Sequence, residues 1–123
     1  MKIRIKGNSV RVRLTRSEVD RFGKEGYIEE QTSFGASHLT YALQKENQEN
    51  LSASFENNKV TMKMPLLWAE EWLATERVGY ESNMPLPNGE FLYLLLEKDF
   101  VCLDNTTEDQ SDNYPNPMAE FHK

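Results

Sequence analysis

Five cations stand at alternate positions near the start of the chain: Lys2, Arg4 and Lys6, then Arg11 and Arg13. A strand sends successive side chains to opposite faces, so this spacing places all five on one side of a hairpin. Ile3, Ile5, Val10, Val12 and Leu14 take the other side. Like charges on neighbouring strands, about 5 Å apart, repel unless something negative lies between them. Acids of the same sheet, Glu29, Glu30, Glu81 and Glu97, would neutralise the patch as a solvated ion-pair surface. Alternatively the face receives a polyanion, with Lys2, Arg4, Lys6, Arg11 and Arg13 as ligand-binding residues.

Other chemistry is sparse. His38 and His122 are the only histidines, and neither stands at zinc-site spacing from the single cysteine, Cys102. Cys102, between Val101 and Leu103, reads as a small buried apolar residue. Glu70 and Glu71 diverge on a helix and read as a solvated face. Gly23-Lys24-Glu25-Gly26 reads as a helix stop, not a phosphate loop. The sequence therefore predicts no catalytic set, no metal and no cofactor.

Charge is unevenly spread. The chain of 123 residues carries 14 Lys+Arg against 20 Asp+Glu, a net charge of −6, which argues against a general nucleic-acid binder. Residues 1–24 nevertheless hold a local balance of about +6, leaving about −12 for the remainder. The acidic segment from Asp104 onward, with Glu108, Asp109, Asp112 and Glu120, is thus a candidate intramolecular cover for the basic hairpin. No stretch has the length of a membrane span, and Lys2 to Lys6 interrupts any leader-like apolar run, so a cytoplasmic protein is expected. One cysteine fits a reducing compartment.

The elements that must position these residues can be read from turn signals and periodicity. Alternation over Lys2 to Lys6 and Val10 to Leu14, joined by Gly7-Asn8-Ser9, predicts a β-hairpin. Thr15-Arg16-Ser17-Glu18 has capping-box spacing and opens a short helix with Val19 and Phe22 on its apolar stripe. Strands follow at Tyr27 to Ser33 and His38 to Lys45. The order then repeats: a hairpin over Leu51 to Glu56 and Lys59 to Met64, and a helix from Pro65 with Leu66, Ala69, Trp72 and Leu73 on one face. Strands come again at Arg77 to Asn83 and Phe91 to Glu97. Phe100 to Leu103 reads as a further short strand, and 104–123 as an acidic, mobile or extended tail.

The apolar residues of the two units match at a shift of fifty positions. Ile3, Ile5, Val10, Val12, Leu14, Val19, Phe22 and Ile28 recur as Ala53, Phe55, Val60, Met62, Met64, Ala69, Trp72 and Val78, and Asn8 recurs as Asn58. Leu39 to Leu43 then matches Phe91 to Leu95. The expected fold is α+β: one domain over 1–103, in which duplicated ββαββ units (1–45 and 51–98) form a curved antiparallel sheet or an eight-stranded barrel with two helices on one side.

The segments Lys2 to Arg11, Glu29 to Gly35, Leu51 to Asn58 and Glu97 to Asp104 resemble a family of small uncharacterised bacterial proteins, many from Bacteroidetes, over nearly the whole chain. That resemblance implies no activity. The doubled architecture with a cationic face is also similar to the CYTH-like triphosphate tunnel enzymes. Those open with Glu-x-Glu-x-Lys, whose carboxylates hold a metal, where this chain has Lys2-x-Arg4-x-Lys6. The expected function is a non-enzymatic module for an anionic or phosphorylated ligand. The alternatives are a phosphoester or polyphosphate hydrolase and a protein-interaction domain with a protein partner.

Overall fold

The computed structural model describes residues 1–100 and 111–115. In chain order its elements are β1 (Lys2–Lys6), β2 (Ser9–Leu14), α1 (Arg16–Glu25), β3 (Tyr27–Ser33), β4 (His38–Glu46), β5 (Ser52–Glu56), β6 (Lys59–Pro65), α2 (Leu66–Ala74), β7 (Gly79–Pro85) and β8 (Phe91–Lys98). The hairpins turn where the residue types allow it. Gly7 takes φ 53°, and Asn57 and Asn58 take 53° and 61°, left-handed values that glycine and asparagine tolerate best.

The expected barrel does not form, and neither does a single antiparallel sheet. The strands divide into two four-stranded sheets, ordered β1-β2-β8-β7 and β3-β4-β6-β5. Each contains one parallel pair, β2 with β8 and β4 with β6. Alternation specifies which face of a strand is apolar but not which strand lies beside it, and on that second point the expectation failed. Each sheet joins a hairpin from one half of the chain to a hairpin from the other. One core cluster, including Val12, Leu14, Leu43, Met62, Leu94 and Leu96, runs through both sheets.

Phe22 of α1 and Trp72 of α2 are fully buried and meet edge to face, with centroids 6.4 Å apart at 70°. The helices otherwise pack mainly on β3, β4 and β6. Trp68 is half-buried and stacks on Tyr80 at 5.2 Å. Leu66 and Leu73, expected on the buried stripe of α2, remain 43% and 37% exposed. Ile5, at 57%, likewise lies beyond the core at the hairpin tip.

The two sheets follow the same topology, with β5, β6, β4 and β3 in the places of β1, β2, β8 and β7. The hairpins correspond at the expected shift, since Lys2 faces Arg13 as Ser52 faces Lys63. The later strands do not. Val10 lies beside Leu94 and Val60 beside Tyr41, so Tyr41 corresponds to Leu94 rather than to Tyr93. Ile28 lies opposite Leu43 as Tyr80 lies opposite Leu96, so Tyr80 rather than Val78 takes the place of Ile28. Inserted residues on either side of β7 displaced both matches.

Of the expected tail, residues 111–115 are docked. The Asp112 carboxylate accepts from the N–H of Ser17 at 3.2 Å and from its hydroxyl, and the Asp112 carbonyl accepts from the N–H of Arg16 at 3.0 Å. Asp112 therefore serves the first turn of α1, where unpaired N–H groups favour an anion. Glu18 completes the turn by accepting from the N–H and hydroxyl of Thr15, at 2.8 and 3.0 Å. Phe100 bridges Tyr114, while the remainder of the expected strand, Val101 to Leu103, lies outside the described residues.

The Ser17 hydroxyl, then the Thr15 side chain and the Ser17 N–H, hold the Asp112 carboxyl below its ordinary value. A depressed carboxylate stabilises the fold above its unfolded pKa, about 4, and the contribution disappears as pH falls through the lower folded value. Asp112→Ala should lose about 1 kcal/mol at neutral pH. It should also flatten the decline in stability below about pH 4 in urea titrations. At Gly79 an added Cβ would lie 2.0 Å from the backbone oxygen of Leu96. Gly79→Ala should therefore lower unfolding free energy by about 3 kcal/mol in the same assay.

Candidate functional site

The hairpin register gathers all five predicted cations. Lys2 faces Arg13, Arg4 faces Arg11, and Lys6 faces Ser9, while Val10, Val12 and Leu14 between them are buried in the core. The cations thus share the outer face of the β1-β2-β8-β7 sheet. This face is not the concave interior of a barrel. It carries two adjoining depressions of about 290 and 180 Å³, both lined by Arg4 and Arg11.

Neutralisation within the sheet is partial. Glu97 lies on β8 beside Arg13, and its Oε1 is 2.7 Å from Arg11 Nε, 2.6 Å from Arg11 Nη2 and 3.5 Å from Arg13 Nε. Lys2 Nζ lies 3.1 Å from Oδ2 of buried Asp99, an ion pair without hydrogen-bond alignment. The other expected counterions are engaged elsewhere. Glu81 accepts from the Tyr93 hydroxyl, which raises the tyrosine pKa. Glu30 lies 2.6 Å from the Met1 amino nitrogen, and Glu29 is 3.4 Å from Lys59 in the other sheet. Arg4 and Lys6 remain exposed, with no ion pair among the described residues.

The second sheet supplies an internal comparison. Where Arg4 faces Arg11, the equivalent hairpin places Ser54 opposite Thr61. Where Lys6 faces Ser9, it places Glu56 opposite Lys59, a pair of opposite sign. The same backbone geometry is therefore compatible with a neutral pair at its centre, and the fold does not require the two arginines.

The acidic-cover expectation is not met where it can be followed. Asp112 serves α1 and not the basic hairpin, while Asp104, Glu108, Asp109 and Glu120 lie outside the described residues, as do Cys102 and His122. His38 is exposed at the start of β4. Glu71, read as solvated, accepts from the Tyr80 hydroxyl at 2.7 Å and from Arg77 at 2.9 Å. Among the described residues no three His, Cys, Asp or Glu side chains group as metal ligands, and no helix is long and apolar enough to cross a membrane.

Two charged residues escaped the sequence reading. Asp99 and Lys98 are 4% and 6% exposed. The apolar alternation of Leu92, Leu94 and Leu96, continued one step past Glu97, puts Lys98 on the core-facing side, and that was the available signal.

Glu97→Gln should leave Arg11 and Arg13 facing each other's charge with no carboxylate between them. Its melting temperature should fall at low ionic strength and recover toward wild type as salt is added. A salt-independent loss would mean that Glu97 acts through packing and not through charge.

A family model described as "Family of unknown function (DUF7009)" matches residues 1–118, and the chain belongs to that family. No curated protein and no solved structure matches it.

Proposed function

We propose that this member of the family of unknown function is a binding module for an anionic, phosphorylated ligand held on its basic sheet face. The observation that carries the reading is the directly opposed pair Arg4 and Arg11, with Arg4 lacking an acid partner among the described residues. Like charges on directly opposed strand residues repel, by roughly 1 kcal/mol in water if brought to about 5 Å and by more where they are partly desolvated. A phosphate between them reverses the sign of the interaction and accepts bidentate bonds from guanidinium groups. Tyr93 and Leu95 border Arg4, Lys6 and Arg11 and offer apolar contact to the body of a ligand.

The shared topology of the sheets supports an internal duplication in which one hairpin acquired the cations and the other kept Ser54 and Thr61. With the chain at −6 overall, the basic face suits a compact anion better than an extended nucleic acid, whose distant phosphates would meet acidic surface.

Thermal shift at low salt with inorganic phosphate, pyrophosphate, tripolyphosphate and adenosine monophosphate tests this. At least one should stabilise the protein, with an effect that declines as salt rises. The double substitution Arg4→Ala with Lys6→Ala should abolish the shift, and Lys63→Ala on the other sheet should preserve it. No shift with any of the four anions, or an undiminished shift in the double variant, rejects the reading.

A further inference from the structure

The inward series of β8 ends in a lysine. Lys98 follows Leu94 and Leu96 on the core side and is 6% exposed, yet among the described residues its ammonium has a single hydrogen-bond acceptor, the Thr75 carbonyl at 3.0 Å. Aromatic rings flank it, with Nζ 6.0 Å from the centroid of Trp72 and 5.3 Å from that of Tyr114. No carboxylate pairs with it among the described residues, and Glu76 acts on it only at a distance. Burial accordingly pushes its pKa down.

Lys45 holds the matching place in the first half and shows what a purely structural lysine does there. Its N–H donates to Gly26 as that of Lys98 donates to Val78, both at 2.9 Å. Its ammonium donates to the Gly23 carbonyl at 3.0 Å and lies 5.7 Å from the ring of Phe22. Both lysines thus serve the carbonyl end of a helix. Lys45, however, is only half-buried, so water solvates its remaining donors. Lys98 instead lines a cavity of about 320 Å³ whose wall includes Val78, Phe100, Tyr114 and Pro115, with Glu76 also present.

An ammonium with two donors unmet among the described residues, in a cavity whose wall is largely Val78, Phe100, Tyr114 and Pro115, is costly unless an anion completes it. One lysine balances one negative charge, so a multiply charged phosphate would bring uncompensated charge into the cavity. We propose that this cavity binds a small organic monocarboxylate, its carboxylate paired with Lys98 and its apolar body against Val78, Phe100, Tyr114 and Pro115. The site is separate from the basic sheet face and does not depend on it.

Isothermal titration of the full chain with hexanoate and phenylacetate, against hexanol and benzyl alcohol, provides the test. The carboxylates should bind at least about tenfold more tightly than the alcohols, the ratio expected when a charge-assisted pair is added to shared apolar contact. Lys98→Met should erase that preference, Glu76→Gln should keep or increase it by removing a like charge from the cavity wall, and Lys45→Met should leave it intact. Should Lys98→Met fail to fold, Val78→Trp decides, because it fills the cavity from a partly exposed position and keeps the charge. Loss of carboxylate binding there supports the site. A carboxylate preference retained in Lys98→Met, carboxylate binding retained in Val78→Trp, equal binding of the alcohols by the unaltered protein, or no binding of either carboxylate overturns it.

Discussion

Two parallel ladders, β2 with β8 and β4 with β6, hold this molecule together. Each joins strands far apart in the chain, and each carries a core-facing row from one half against a core-facing row from the other. Val12 lies beside Leu96, and Met62 beside Leu43, all deeply buried. Neither half can complete its own sheet. The halves exchange hairpins, and the exchange places Phe22 and Trp72 in contact between the helices.

The same exchange decides where charge resides. Because β8 is inserted beside β2, Glu97 reaches Arg11 and Arg13, while Asp99, one residue past the strand, reaches Lys2. Arg4 and Lys6 lie on the edge strand, one strand further from β8. Their position beyond the acids of the sheet leaves them open to an external anion. Exposed cations on an edge strand also discourage pairing with a second sheet.

Lys45 and Lys98 illustrate how one structural device diverges with its surroundings. Both donate to a helix-end carbonyl beside a buried aromatic ring. Only beside Lys98 do Phe100 and the docked 111–115 segment approach, with the rings of Tyr114 and Phe100 tilted against each other at 5.8 Å. The segment is itself fixed by Asp112 on the first turn of α1, so a helix cap contributes to the wall of a cavity.

By itself the sequence determined the elements and the sidedness of each strand, because turn residues, caps and apolar periods act over a few positions. Gly7-Asn8, Asn57-Asn58, Thr15 to Glu18 and the alternation of Lys2 to Arg13 all express local rules. They suffice to place five cations on one face. Tertiary structure alone decided which strands are neighbours, since pairing is a contest among apolar faces with equivalent patterns. For that reason the barrel, the one-residue offset between Tyr41 and Leu94, and the counterions of the basic face could not be read in advance. The burial of Lys98 had a local signal in the alternation of β8, but its cavity required Tyr114 to arrive from a distant part of the chain.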